Sequence, residues 1–137
     1  FFNMAFIFDP IRKKNVQDTP EERVRQHVIS VLTKIKNVPT HLIEVEFSLS
    51  TLQPENQDRI DLMVTDLNRG PNRPWLLVEC KAENQYTFEK LEAQVNRYLK
   101  VLQPKYILLA LENACKIYSY VEDTGEFKPI TDIPNYR

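Results

Sequence analysis

Two carboxylates and an amine sit on neighbouring apolar runs of this chain. Asp61 lies within RIDLMVTD (Arg59 to Asp66), and Glu79 and Lys81 lie within WLLVECKA (Trp75 to Ala82). The intervening Asn68, Gly70, Pro71, Asn72 and Pro74 read as a turn-rich loop, so the runs are expected to be consecutive strands. With the loop centred near Gly70, antiparallel pairing places residues opposite each other when their numbers add to about 140. Asp61 then faces Glu79, and Lys81, two residues on, points the same way.

Like charges directly opposed destabilise a sheet, and a buried carboxylate is costly unless paired or metal-bound. One compensation is a divalent cation: Mg²⁺ (or Mn²⁺) takes one or two carboxylates and completes its shell with water and phosphate oxygens. Such an ion can generate hydroxide near neutral pH and neutralise charge on a scissile phosphate. A nearby Lys81 can orient the nucleophile or stabilise the transition state, and the sum is phosphodiester hydrolysis. The other compensation is an interior ion-pair cluster, Lys81 with Glu79 and Arg59 with Asp61, which holds two strands in register. Spacing alone serves both readings.

The elements that must position these groups follow from periodicity. Thr19-Pro20-Glu21-Glu22 is a helix start, with Thr19 as cap, Pro20 in the first turn and Glu22 where a capping box wants it. Val24, Val28, Val31, Leu32 and Ile35 continue one apolar stripe, predicting a helix from about residue 20 to 36. Ile43, Val45, Phe47 and Leu49 alternate with polar residues as a strand does, and residues 52–58 read as loop. A second amphipathic helix is expected from Thr87 to about Gln103, ahead of Pro104. Strands are then expected at Tyr106 to Leu111, at Ile117 to Val121 and, after the turn Asp123-Thr124-Gly125-Glu126, around Phe127 to Ile130. The order α-β-β-β-α-β-β implies an α/β domain with a mixed central sheet flanked by helices.

Composition narrows the function classes. The 137 residues are 42% apolar and 27% charged, a globular balance for one domain. With a formal charge of -1, any nucleic acid must meet a local patch. Gly70 and Gly125 are the only glycines, which excludes P-loop and GxGxxG phosphate cradles and any motor built on them. Cys80 and Cys115 lack CxxC spacing, so neither a disulfide scaffold nor a zinc site is indicated, and a reducing, cytoplasmic setting is expected. The apolar opening Phe1 to Phe8 is too short for a membrane span and lacks the features of a signal peptide.

Asp61 followed by Glu79-Cys80-Lys81 on the next strand resembles the PD-(D/E)XK nuclease superfamily, whose αβββαβ core also matches the element order. The run TPEERVRQ (Thr19 to Gln26), the tripeptide RID ending at Asp61, and LVECKA (Leu77 to Ala82) resemble the N-terminal nuclease domain of type I restriction enzyme R subunits. Gln94 and Tyr98 resemble the QxxxY motif of a subset of these nucleases, although an i, i+4 pair beside Leu91 and Val95 also serves as a plain helix edge. Ile60 stands where the superfamily name has proline.

The resemblance implies a restriction-endonuclease-like core over about residues 20–111 and a C-terminal strand extension over about 112–137. It implies Asp61, Glu79 and the backbone carbonyl of Cys80 as metal ligands, Lys81 as catalytic lysine, and Gln94 near the metal or the DNA backbone with Tyr98 supporting it. The family also uses a glutamate from the first helix. Glu21 shares the inward stripe of Val24 and Val28, and Glu22, with its capping role, is the alternative. The implied activity is Mg²⁺-dependent DNA cleavage, beside a translocase module or restriction-modification subunits carried elsewhere. The alternative is the same fold retained as a non-catalytic module that binds DNA or protein.

For other residues the plain readings are stronger. Arg12, Lys13, Lys14, Arg69, Arg73, Lys90, Arg97, Lys100 and Lys105 could contact phosphates, but scattered cations usually form a solvated face. His27 and His41 are isolated. Trp75, Tyr118 and Tyr120 are placed as expected for sheet packing, and Cys80 should point into the core opposite its charged neighbours.

Overall fold

The computed structural model describes residues 5–82 and 87–136. Among these residues two α-helices and eight strands, with two single 3-10 turns between them, occur in the order β1 (Phe6–Asp9), β2 (Lys14–Gln17), α1 (Pro20–Lys34), β3 (Ile43–Ser48), β4 (Arg59–Val64), β5 (Leu76–Cys80), α2 (Phe88–Tyr98), β6 (Tyr106–Ala110), β7 (Cys115–Val121) and β8 (Glu126–Ile130). Strands β3 to β8 form one sheet in sequence order. Among the described strands only the β5–β6 pair is parallel, because α2 carries the chain across one face between them, so the sheet is mixed.

Helix α1 begins where the capping residues place it. Thr19 Oγ1 accepts from Glu22 N at 3.1 Å. The reciprocal half of the capping box does not form, because the Glu22 carboxylate is taken by Arg12, Arg25 and Gln26. The helix ends at Lys34, two residues before the expected limit, and Asn37 turns the chain in the left-handed region at φ 62°. Thr87 caps α2 by accepting from Lys90 N. That helix stops at Tyr98, short of Gln103, with Leu99 as its C-cap and Val101 N donating to Tyr98 O in the turn beyond.

Each helix covers one sheet face. Val24, Val28, Ile29 and Leu32 of α1 pack with Leu62, Val64, Leu76, Val78 and Cys80. Leu91, Val95 and Tyr98 of α2 pack with Ile60, Met63, Leu77 and Leu109. Apolar burial on both faces explains why β4 and β5 read as near-continuous hydrophobic runs. Trp75 packs edge-on against Tyr106 and Tyr136, so it belongs to the core as expected.

The β1–β2 hairpin was not expected from the sequence. Its strands are four residues each, and its turn carries no glycine, Lys13 taking the left-handed conformation at φ 55°. The turn is held instead by Asp9, whose carboxylate accepts from Ile11 N and Arg12 N and pairs with the Arg12 guanidinium. Residues 1–4 of the apolar opening lie outside the described residues. No helix among the described residues is long and apolar enough to cross a membrane.

Candidate functional site

The register of β4 and β5 is the one the loop symmetry predicts: Leu62 pairs with Val78, Met63 with Leu77, and Val64 with Leu76. The ladder ends there, one position before Asp61 and Glu79. On the other side, β3 pairs with β4 through Val45↔Leu62 and again through Phe47↔Ile60, but not at Glu46 and Asp61 between them. Glu46 has φ 53°. Consequently Val45 and Leu62 face α1 whereas Phe47 and Ile60, two residues away, face α2. This local kink releases Asp61 from the pleat, a common use of strand irregularities beside functional groups.

Freed in this way, the Asp61 carboxylate turns toward the end of β5. Its Oδ2 accepts from Cys80 N at 2.7 Å, where an ordinary ladder would supply a backbone carbonyl. In an extended strand the N–H and C=O of one residue point to the same side, so the Cys80 carbonyl also faces this gap. Asp61 N in turn donates to Glu79 Oε1 at 3.4 Å. The two acidic groups therefore meet through reciprocal side-chain to backbone contacts, not as a regular cross-strand pair.

Their electrostatics are lopsided. Glu79 is 1% exposed, and burial, followed by the neighbouring Asp61 charge, pushes its carboxyl up to about 9, with Lys81 acting weakly in the opposite sense. The Cys80 thiol, buried on the α1 face, is likewise pushed well up by burial. Glu79 alternates with Val78 and Cys80 and so takes the α2 face, where burial and then its charge raise the Tyr98 phenol above its ordinary value.

Helix α1 supplies the cationic counterpart. Arg25 Nη2 lies 3.3 Å from Asp61 Oδ1 and Nη1 lies 3.0 Å from Glu22 Oε1, while Arg25 Nε is buried without a hydrogen-bond partner among the described residues. Glu22 also binds Arg12 Nη2 through both oxygens at 2.9 Å, and Arg12 Nη1 reaches Glu46 Oε1 at 3.2 Å. An ion-paired chain thus runs from the hairpin to Asp61. Lys81 Nζ lies 3.4 Å from Glu21 Oε1. Side-chain exposures of 12% for Asp61, 18% for Lys81 and 35% for Glu21 leave the cluster open to solvent on that side.

From α2, Gln94 Nε2 donates to Tyr98 Oη at 2.8 Å, and Tyr98 Oη donates to Arg59 O at 3.1 Å, two residues before Asp61. The QxxxY pair therefore buttresses the start of β4.

The family described as type I restriction enzyme R protein N terminus (HSDR_N) matches residues 20–134. This chain belongs to that family. No curated protein and no solved structure matches the chain.

Within this R-protein N-terminal domain, the residues singled out in the sequence fall into three groups. Asp61, Glu79 and the Cys80 backbone converge at the end of β5. Lys81 and Glu21 pair beside them, Glu21 being partly exposed and Glu22 buried in the arginine network. Gln94 bonds Tyr98, and no bond from Gln94 to the acidic pair occurs among the described contacts. Arg59, considered as the partner of Asp61, instead offers its carbonyl to Tyr98. Arg12 is saturated by Asp9, Glu22 and Glu46 and is not presented to a phosphate. Arg97 pairs with Asp58, and Arg69 binds the carbonyls of Pro74 and Gln103. Sequence reasoning missed Arg25. Its signal was its place three and four residues after Glu22 and Glu21, on the same helix face.

Among the described residues no three His, Cys, Asp or Glu side chains form a metal-holding group. A hard dication such as Mg²⁺ needs fewer, because it keeps several waters and takes one or two carboxylates. The donor set fits that ion: two adjacent carboxyl groups and a backbone carbonyl, all oxygen. One of the two carboxyls is held protonated by burial and by its neighbour, a cost that a dication in the same place would remove.

Proposed function

We propose that this domain is a Mg²⁺-dependent (or Mn²⁺-dependent) nuclease of the PD-(D/E)XK type that cleaves DNA within a type I restriction system. The observation that carries the reading is the meeting of Asp61 and Glu79 where the β4–β5 ladder ends, with Glu79 raised to about 9 by burial and by Asp61. The order α1, β3, β4, β5, α2, β6 supports a restriction-endonuclease-like core over about residues 20–111, with β7 and β8 as an extension of the same single domain over about 112–137.

In this reading Asp61, Glu79 and the Cys80 carbonyl hold the ion, and Glu21 is close enough to Lys81 to complete the acidic rim. When bound, the ion supplies positive charge for the scissile phosphate and eases formation of hydroxide. Lys81, held beside Glu21, orients the nucleophile or meets charge developing on the phosphate. Gln94, fixed by Tyr98, reaches toward the DNA backbone. Partners are DNA and a translocase module or restriction-modification subunits, in the cytoplasm.

Supercoiled plasmid with Mg²⁺ or Mn²⁺ tests the proposal: nicking by the wild-type domain that disappears in Asp61→Ala and Lys81→Ala supports it. One observation favours a second reading, a non-catalytic DNA-binding module: Arg25 already neutralises Asp61 from a buried position. Plasmid binding without nicking in either metal establishes that reading in place of the first. Parallel incubation with single-stranded RNA separates a DNA from an RNA substrate.

A further inference from the structure

We propose that Arg12, carried by the β1–β2 hairpin, is a positioning residue for Asp61: it fixes the Glu22 and Glu46 carboxylates, and through them the Arg25 guanidinium and the β3 kink that aim Asp61 at the end of β5. The consequence for metal binding rests on the nuclease reading above; the positioning itself does not.

The hairpin precedes the segment matched by the family, which begins at residue 20. Its turn nevertheless delivers one guanidinium into that segment. Both Glu22 oxygens accept from Arg12 Nη2 at 2.9 Å, and Glu46 Oε1 accepts from Arg12 Nη1 at 3.2 Å. The buried Asp9 carboxylate takes Arg12 Nε and so fixes the guanidinium from the hairpin side. All three nitrogens are thereby committed to carboxylates on β1, α1 and β3, a use of the rigid arginine fork that a lysine amine cannot copy.

Two routes lead from Arg12 to Asp61. Along the first, charges alternate through Arg12, Glu22, Arg25 and Asp61, so that Glu22 is shared by two arginines and Arg25 by two carboxylates. Arg25 Nη1 donates to Glu22 at 3.0 Å and Nη2 to Asp61 Oδ1 at 3.3 Å, while the buried Nε has no partner among the described residues. That fork is not fully engaged, and its aim depends on where Glu22 holds it. Without Arg12, Glu22 keeps Arg25 as its cationic partner and draws it away from Asp61. Along the second route, Arg12 holds Glu46, whose φ of 53° interrupts the β3–β4 pairing opposite Asp61. A glutamate stays in the left-handed region only where its surroundings hold it there, and Arg25 Nη1 lies farther from this carboxylate, at 3.9 Å. Losing these holds turns Asp61 Oδ2 away from Cys80 N, its donor at 2.7 Å.

The test is the amide NMR spectrum of the whole isotope-labelled chain in EDTA, followed by calorimetric titration with Mn²⁺. A carboxylate acceptor at 2.7 Å deshields the amide proton, so the Cys80 N–H signal reports the place of Asp61 directly. Lys81 N–H, which donates to Ala110 O of β6 at 3.0 Å, is the internal control. Arg12→Ala is expected to move the Cys80 proton upfield, toward its position in Asp61→Ala, with Lys81 unmoved, and to weaken Mn²⁺ binding roughly tenfold. The sign separates positioning from charge, because losing a cation that acts only through its field would tighten the binding of a dication. Arg12→Lys keeps the cation without the fork and carries the same test if Arg12→Ala does not fold, with both effects expected in the same direction and smaller. An unchanged Cys80 signal overturns the proposal, as does equal displacement of the Cys80 and Lys81 signals, or Mn²⁺ binding as tight as in wild type or tighter. An Arg12-dependent Cys80 signal in a chain that binds no Mn²⁺ keeps the positioning and removes the metal reading. Mn²⁺ binding that is lost in Asp61→Asn but identical in wild type and Arg12→Ala removes the positioning alone.

Discussion

Arg25 of α1 and Asp61 of β4, far apart in sequence, are joined by a hydrogen-bonded ion pair of 3.3 Å in which the arginine side chain is only 7% exposed. The same guanidinium holds Glu22. Removing a partner from a buried pair leaves an uncompensated charge, so Arg25→Ala should destabilise the domain by about 3 kcal/mol or more. Urea unfolding measures this directly. A loss below about 1 kcal/mol would mean that the pair is effectively solvated.

Glu79 makes the metal-free domain pH-sensitive in an unusual sense. Its folded pKa, raised to about 9 from the ordinary 4.5, means that the unfolded chain releases this proton first as pH rises. Between those values the native state holds one proton more than the unfolded state, and stability falls with a slope approaching about 1.4 kcal/mol per pH unit. The stabilising contribution is full below the unfolded pKa and is lost as pH rises through the folded one. Thermal unfolding in EDTA from pH 5 to 9 should show this decline, and Glu79→Gln should flatten it. A profile for Glu79→Gln parallel to wild type would refute the assignment.

Much of this arrangement is legible in the sequence. Thr19-Pro20 marks the start of α1 because a capping hydroxyl and a proline in the first turn leave little choice, and the turn residues around Gly70 set the β4–β5 register. The pleat argument expected Asp61, Glu79 and Lys81 on one face as a regular cross-strand set; instead a kink at Glu46 frees Asp61 from alternation, Glu79 takes the α2 face, and Asp61 and Lys81 reach Arg25 and Glu21 of α1. No local propensity announces a glutamate in the left-handed region. The β1–β2 hairpin was hidden for a similar reason, since its turn is stabilised by the Asp9 carboxylate and not by glycine. Arg12 read as one of several scattered, solvated cations because its three carboxylate partners lie on three separate elements.

Asp9 should behave as the pin of that hairpin. Burial pushes its carboxyl up, but the Arg12 side chain and the backbone N–H groups of Arg12 and Ile11 outweigh burial and hold it below its ordinary value. Its stabilising contribution is present above the unfolded pKa and is lost as pH falls through the folded one. Asp9→Ala should raise amide exchange across residues 6–17 at least tenfold while leaving β4 and β5 protected. Uniform protection of the hairpin in this variant would show that the turn holds itself.

Tyr98 donates to Arg59 O and accepts from Gln94, so Tyr98→Phe strands both groups at about 1 to 2 kcal/mol in denaturant unfolding. If the pair also positions Gln94 for the substrate, Gln94→Ala should lower plasmid nicking severalfold with a smaller loss of stability. Equal nicking by Gln94→Ala and wild type would leave the pair a purely structural brace.

The central claim is that Asp61 and Glu79 together hold a hard dication. Calorimetric titration of the folded chain with Mn²⁺ tests it without reference to cleavage. Saturable binding of about one ion, weakened roughly 100-fold by Asp61→Asn and by Glu79→Gln but retained in Lys81→Ala, is the expected result. Absence of saturable binding at millimolar Mn²⁺, or binding indifferent to both carboxyl substitutions, would contradict it.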